Sequence, residues 1–411
     1  MTVSRRALIG GAAALAAARP GHSARAAAVG LRIGVLTDLS GTYRDASGPT
    51  AIACVRQAVQ EFTAGRSLLV EVLEADFQNK PDVGANIARQ WFGQDGVDMI
   101  VDLTNSAVAL AVSGVGREQN KVVLVSGAAT SELTGAQCSP NTVHWTYDTW
   151  MLAKSTATST LRAGGDSWFL LGPDYNFGHS LANDTARFVT EAGGRVVGSA
   201  FYPFPQTSDF SAYMVQAAAS GAKVLGLCCA GTDAVATVKQ AHEFGLNRRM
   251  QLAAMLAYLT TVHGLGIDTA QGLRLTESFY WDLNDRTRAF MRRVRPKVPD
   301  NWPNMIQAGD YAATLHYLKA VADLGLPAAQ RDGRAVVERM KAMPTDDDCF
   351  GPGSIRADGR ALHPSYLFEV KRPEESTQLW DLYKLVATTP ADQAFRPLAE
   401  GGCPFVKGDS H

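Results

Sequence analysis

From about residue 30 the sequence repeats one unit: a short apolar run rich in β-branched residues, a polar turn of Gly, Ser or Asp, and a segment with helical apolar spacing. One set of runs lies at 31–36, 68–73, 97–103 and 122–125, and a second at 168–171, 195–202, 224–228, 250–255 and 272–276. Helical stretches at 51–62, 83–92, 107–119, 181–192 and 234–244 separate them. Strand alternating with helix, with strands that are apolar throughout, predicts parallel sheets covered by helices on both faces. The rhythm breaks between Pro140 and Trp150, in a polar loop carrying His144, Trp145, Tyr147 and Trp150, where the chain is expected to leave one sheet for another. At 411 residues the chain exceeds the usual size of one hydrophobic core, so the two sets predict two α/β lobes. From Asp285 helices take over, at 285–294, 305–324 and 334–343. Then Gly351-Pro352-Gly353 and Asp358-Gly359 flank strand-like pieces at 354–356 and 366–371, a hairpin signal, with 379–386 as one further strand.

The first residues differ in kind. Ser4, Arg5 and Arg6 precede an uncharged, alanine-rich run at 7–18, followed by Arg19, Arg25 and small residues at 24–28. Paired arginines before a mildly apolar core predict an export signal over residues 1–28, of twin-arginine type, with the general secretory route as the alternative. The run has no polar face for an amphipathic helix and falls short of the ~20 apolar residues that span a bilayer. Export places the mature chain in the periplasm, where disulfides persist. Six cysteines occur, and their spacing alone does not pair them. Cys228 and Cys229 lie inside an apolar run and are expected to be core thiols. Cys138 and Cys403 sit beside Ser139-Pro140 and Pro404, in loop-like contexts, and form the first candidate disulfide, one that would pin the C-terminal tail.

A formal net charge of -1 with 19% charged residues gives no basic surface for nucleic acid. The first strand-to-helix turn, Thr37-Asp38-Leu39-Ser40-Gly41-Thr42-Tyr43, lacks the three glycines of a dinucleotide site, and no Walker sequence or Gly-x-Ser-x-Gly elbow occurs. His242-Glu243 has no second histidine at zinc spacing, and the other histidines are scattered. Asp346-Asp347-Asp348 is expected to be a solvated loop rather than a cation ladder. No cofactor, metal or catalytic residue is therefore predicted. What the turns do offer is hydroxyls and backbone N–H groups: Thr104-Asn105-Ser106 after one strand and Ser126-Gly127-Ala128-Ala129-Thr130 after the next, a pairing that suits a carboxylate. Helix capping explains either loop equally well. In the second set the facing loops are 172–178, 230–233 and 254–258, and the aromatics in the first and last of them would cover an apolar solute body.

The segments Ile33-Gly34-Val35-Leu36-Thr37-Asp38-Leu39-Ser40-Gly41, Asp174-Tyr175-Asn176-Phe177-Gly178, Thr276-Glu277-Ser278-Phe279-Tyr280-Trp281-Asp282-Leu283 and Asp358-Gly359-Arg360, in that order, resemble the type I periplasmic binding proteins of ABC importers, the branched-chain amino acid receptor group. The resemblance implies an α/β fold of two doubly wound parallel-sheet lobes joined by a multi-strand hinge. Lobe 1 would span 30–147, lobe 2 148–280, with a return to lobe 1 over 281–350, a hinge crossing and C-terminal hairpin over 351–388 and a tail over 389–411. It implies hinged closure around a small solute, no covalent step, permease subunits as partners and a monomer. Carried over by position, Ser40, Tyr43, Asn105, Ser106, Ser126, Ala128 and Thr130 would line lobe 1, and Tyr175, Phe177, Thr232, Leu256 and Glu277 would face them from lobe 2. One departure stands out. The loop that in amino acid binders supplies an acidic partner for the ammonium here reads Met255-Leu256-Ala257-Tyr258, leaving Glu277, Asp174 or Asp233 as substitutes. A branched-chain amino acid and an aromatic or aliphatic acid both stay open. The rival functions are a soluble sensor for a signalling partner and a two-domain α/β enzyme.

Overall fold

The apolar run at the start of the repeat is β1 (Leu31–Thr37), and the units that follow it build a parallel sheet around it: α1 (Gly48–Thr63), β2 (Val70–Asp76), α2 (Pro81–Gly93), β3 (Met99–Asp102), α3 (Ser106–Glu118), β4 (Val122–Val125) and β5 (Thr142–His144). The computed structural model describes residues 30–406, so the export signal expected over 1–28 lies outside the described residues. The first sheet has the order β2-β1-β3-β4-β5, all parallel. Its strands other than the edge strand β2 are buried on both faces, which explains their continuous apolar runs. Ile33, Val35, Met99, Val101, Val122 and Leu124 face one core, while Leu36, Ile100, Val123 and Val125 face another beneath α2 and α3. Gly34 is the point of closest helix approach, since a Cβ there would lie 2.4 Å from the Trp91 ring of α2. Truncating Trp91 to alanine would cost roughly 3–5 kcal/mol in such a setting.

After β5 the chain crosses to the second sheet through α4 (Thr149–Arg162), β6 (Ser167–Pro173), α5 (Asn176–Glu191), β7 (Arg195–Tyr202), α6 (Ser211–Ala219), β8 (Val224–Leu227), α7 (Gly231–Glu243) and β9 (Gln251–Ala254). The order β7-β6-β8-β9 is again all parallel. Then follow α8 (Leu259–Leu265), α9 (Ile267–Ala270), β10 (Arg274–Glu277), α10 (Asp285–Val294), α11 (Met305–Leu324), α12 (Leu326–Arg331) and α13 (Gly333–Ala342). The long, almost wholly buried α11 packs along α1 and returns the chain to the first lobe. The last elements are β11 (Thr345–Asp347), β12 (Gly351–Ile355), β13 (Ala361–Leu362), β14 (Ser365–Val370), β15 (Tyr383–Thr389) and α14 (Ala391–Ala394). Among the described residues no helix is long and apolar enough to cross a membrane.

The structure corrects several expectations. The segment at 140–150, expected to be a loop, contains β5, a three-residue strand whose pairing is extended by His144 N–H donating to the Gly359 carbonyl. The run at 272–276 does not join the second parallel sheet: β10 pairs antiparallel with β14 in a separate sheet, β10-β14-β15. Periodicity in a four-residue buried run carries no strand direction. The pieces at 354–356 and 366–371 do not pair with each other; Asp358-Gly359 instead turns β12 into β13. Asp347, expected in a solvated loop, is buried and accepts the backbone N–H of Cys349 and Phe350. The helices α4 and α6 were not anticipated; α4 has six Ser and Thr residues, which weaken a helical pattern.

Cys138 and Cys403 are joined, with Cα atoms 5.6 Å apart, and the other four cysteines are free and buried. The tail so pinned also touches the second lobe, through Arg187 to Glu400 at 2.8 Å and Lys154 to the Gln393 carbonyl. Where the chain passes between lobes, the fully buried Arg360 donates to the Tyr147 carbonyl, lies 3.7 Å from the Asp148 carboxylate and stacks on Phe395.

Candidate functional site

In open α/β sheets the carboxyl ends of strands collect loops and helix N-termini. Here the carboxyl ends of β1, β3 and β4 meet those of β6, β8 and β9 across one cavity. On the first lobe the loop after β1 is organised by Asp38, whose buried carboxylate accepts the backbone N–H groups of Ser40, Gly41 and Tyr43 at 3.2, 2.6 and 2.9 Å and the Asn79 amide at 2.6 Å. That wiring turns the Tyr43 ring toward the second lobe. Asn105 donates to Asn79 and caps α3 by accepting from Ala107 and Val108, so the capping alternative holds for this residue.

At the end of β3 the backbone is strained: Asp102 and Leu103 both have positive φ, 88° and 62°. Non-glycine residues held this way cost about 1–3 kcal/mol each and persist where the surroundings over-determine them. The Asp102 carbonyl accepts the N–H groups of Ser126 and Gly127, and its carboxylate accepts the hydroxyls of Thr104 (2.8 Å) and Ser47. Burial pushes the Asp102 carboxyl up to about 6, against those hydrogen bonds. Gly127 must be glycine here, because a Cβ would lie 2.6 Å from Thr104 Cα.

From the second lobe Tyr175, at the N-terminus of α5, brings its hydroxyl to 2.6 Å from that of Tyr43. Phe204 stacks on both rings, with centroids 4.9 Å from Tyr175 and 5.7 Å from Tyr43. The Tyr147 hydroxyl donates to the Gly127 carbonyl (2.6 Å) and lies 2.7 Å from the Tyr258 hydroxyl, which therefore donates to it. Beside this seam Thr232 N–H donates to the Thr42 carbonyl, and Gly231, with φ 62°, sits where a Cβ would fall 2.3 Å from that same oxygen. The lobes thus touch on both backbone and side chains.

The strand ends close onto one small cavity. Thr104, Ser106, Gly127, Ala129, Tyr43 and Tyr147 line it from the first lobe, and Tyr175, Phe177, Ala230, Leu256 and Tyr258 from the second. None of these is an acid, a base or a histidine. The Ser106 hydroxyl accepts from Thr130 N–H at 3.2 Å and keeps its own proton to donate; the backbone N–H groups of Ser106 and Ala129 have no partner among the described residues. Wider depressions elsewhere, the largest between α4 and β15, are open to solvent and lie apart from the strand ends. Among the described residues no group of three His, Cys, Asp or Glu side chains is placed to hold a metal ion.

Of the residues expected from the sequence, Tyr43, Ser106, Tyr175, Phe177 and Leu256 line the cavity. The others do not. Ser40 is exposed and donates to Asp76, Thr232 is exposed at the seam, and Ala128 is buried behind the cavity with its carbonyl accepting from His144 Nε2. Thr130 caps the following helical turn by accepting from Glu132, and Ser126 is buried beneath the cavity floor. Glu277, proposed to face the solute, instead accepts from Met305 N–H and the Tyr383 hydroxyl in a fully buried position, where burial pushes its carboxyl up to about 8. Position-by-position reading missed Thr104, Gly127, Ala129, Tyr147, Ala230 and Tyr258. Five of them lie in loops that carry named residues, Tyr258 beside Leu256 among them, and the alternation of inward and outward positions was the missing signal. Tyr147 lies where the repeat breaks, outside those loops.

Set beside known proteins, residues 30–377 match the family model described as periplasmic binding protein. No curated protein matches the chain. A periplasmic binding protein from Burkholderia mallei is 42% identical, over 92% of this chain and 99% of that one, with a TM-score of 0.88. A branched-chain amino acid ABC transporter periplasmic ligand-binding protein from Burkholderia xenovorans is 36% identical, over 91% and 99%, with a TM-score of 0.78. A solute-binding protein of an ABC transporter from R. palustris, in complex with 4-hydroxybenzoate, shares the fold at 20% identity, over 89% and 98%, with a TM-score of 0.79. With two parallel-sheet lobes meeting at one cavity and a family match across most of its length, this chain belongs to the periplasmic binding proteins and has their type I fold.

Proposed function

We propose that this chain is the periplasmic receptor of an ABC importer for a small carboxylic acid that lacks an ammonium group, an aromatic or aliphatic acid rather than an amino acid. The observation that carries the reading is the composition of the cavity: hydroxyls and unpartnered N–H groups at its first-lobe end, four tyrosines and Phe177 around it, and no carboxylate. A carboxylate is well held by N–H dipoles near a helix N-terminus, here that of α3. An ammonium taken out of water without a counter-charge pays several kcal/mol, and the one fully buried glutamate near the site is already committed to Met305 and Tyr383. The relative that carries 4-hydroxybenzoate shares this fold, and the one described for branched-chain amino acids marks the competing class.

The mechanism is hinge bending. The segments around Tyr147–Asp148, 278–284 and 356–364 join the lobes, and closure buries the solute between strand ends without a covalent step. Residues 1–28 act as the export signal, the lobes follow the boundaries 30–147, 148–280 and 281–350, with crossing and tail beyond, and the closed monomer delivers its solute to permease subunits. Ligand that binds only the folded state stabilises it by mass action, about 2.7 kcal/mol at a hundredfold excess over Kd. Benzoate and 4-hydroxybenzoate are expected to raise the melting temperature by several degrees while leucine and isoleucine leave it unmoved. A shift with leucine alone would contradict the reading.

A further inference from the structure

We propose that the buried carboxyl pair Asp102 and Asp310, beneath the first-lobe wall of the cavity, takes up one proton from solvent when an anionic solute is captured and returns it on release. The proposal rests on the carboxylate reading of the cleft and adds a linked proton to it.

Only one hydroxyl separates the solute space from Asp102. Thr104 lines the cavity and donates to Asp102 Oδ1 at 2.8 Å. While Asp102 is ionised it holds the Thr104 proton, and Thr104 shows the cavity only lone pairs, which repel a carboxylate. Once Asp102 is protonated, its own O–H donates to Thr104 Oγ1, and Thr104 turns its proton toward the solute. The strained backbone at Asp102 and Leu103 fixes the carboxyl in this position.

Asp310 supplies the second half of the argument. It is fully buried on α11, and neither of its oxygens has a hydrogen-bond partner; the hydroxyls of Ser126, Thr146 and Thr314 are buried and unpartnered as well. They belong to one locus. A Cβ on Gly309, next to Asp310, would fall 2.0 Å from Thr146 Oγ1 and 3.3 Å from Ser126 Cβ, and Thr314 is one helical turn along. Orphaned buried polar atoms are rare enough to need an explanation, and a neutral acid is the simplest, because burial without a partner costs it far less than it costs a carboxylate. The groups facing the pair are Asp38 from the loop after β1, Thr37 and Ser47 as hydroxyl donors, Tyr147 after β5 and Cys54 on α1. None of these groups is a cation. Burial pushes both upward, Asp102 to about 6 with the Asp38 charge adding to it, and Asp310 well above the usual carboxylate range with the Asp102 charge adding to it. A solute carboxylate across Thr104 adds a further negative charge and raises the proton affinity again.

The sign follows. Below about 6 Asp102 is already protonated and affinity is complete; above it, capture must bring in a proton. Affinity therefore falls by up to about tenfold per pH unit until the pKa of the bound state is passed. Calorimetric titration of the mature chain with benzoate at pH 7.5, in phosphate and in Tris, reads the proton directly from the difference in heats. The expected result is uptake approaching one proton, abolished in Asp102→Asn, whose affinity becomes flat with pH. Asp184 and Asp233 are also pushed to about 6, so the variant separates them from Asp102. Zero uptake in the unmodified chain overturns the proposal, as does uptake that persists in both Asp102→Asn and Asp310→Asn. If neither variant folds, zero uptake in the unmodified chain still overturns the proposal, and Asp184→Asn and Asp233→Asn, expected to leave the uptake in place, take over the assignment. Benzoate binding without a proton leaves the solute class standing, whereas no heat from any carboxylate at any pH removes both.

Discussion

The two faces of the cavity are built in opposite ways. The first-lobe face consists mainly of small residues and hydroxyls, Thr104, Ser106, Gly127 and Ala129, on loops held by the buried polar network of Asp38, Asn79, Asn105 and Asp102. The second-lobe face consists of Tyr175, Phe177, Leu256, Tyr258 and Ala230, large apolar surfaces for the most part, with Phe204 stacked behind Tyr175. The difference assigns separate tasks. A wired socket with directed N–H and O–H groups tells one head group from another, because an unpaired buried donor or acceptor is costly. An aromatic wall closes over whatever body follows, at about 25 cal/mol per Å² of apolar surface removed from water.

This contrast can be broken from the lid side first. Tyr175→Ala removes the ring that stacks on Phe204 and the hydroxyl that meets Tyr43, and is expected to weaken the affinity for an aromatic acid by about thirtyfold, roughly 2 kcal/mol, mostly through faster dissociation in stopped-flow release. A shorter aliphatic acid should lose less. Ser106→Ala is the socket counterpart. Loss of one donated hydrogen bond predicts about five- to tenfold weaker binding, near 1 kcal/mol, equal for aromatic and aliphatic acids in isothermal titration. Equal losses across solutes for Tyr175→Ala would erase the division of labour. The smallest effect is expected at Glu277. With burial lifting its carboxyl to about 8, the folded chain keeps a proton that the unfolded chain releases above ~4.3, so this contribution to stability is complete at low pH and is lost as pH rises toward 8. Glu277→Gln should leave affinity unchanged and flatten the fall in melting temperature between pH 5 and 8.

Sheets and most helices were legible in the sequence because parallel strands buried on both faces leave unbroken apolar runs, as at 122–125 and 224–228. What escaped is instructive. β5 is three residues long and its pairing is extended by Gly359 and Arg360, more than 200 positions away, so no local pattern marks it. The hydroxyl-rich α4 hides its helical period. Within the site, the loops were legible but the inward-facing members were not: Asn105 and Thr130 turn back to cap, while Thr104 and Gly127 face the cavity, and the positive φ at Asp102 and Leu103 that leads into the first of these loops has no local sequence mark. Glu277 was chosen for its charge, but β10 belongs to the antiparallel sheet and sets that carboxyl against Met305 and Tyr383.

The central claim is that a neutral, tyrosine-rich cavity accepts a carboxylate and refuses an ammonium. Calorimetric titration of the mature chain with benzoate and with leucine at pH 6, side by side, tests it most directly. The account predicts saturable one-to-one binding of benzoate at micromolar or tighter Kd and no measurable heat from leucine; tight leucine binding with benzoate silent would contradict it.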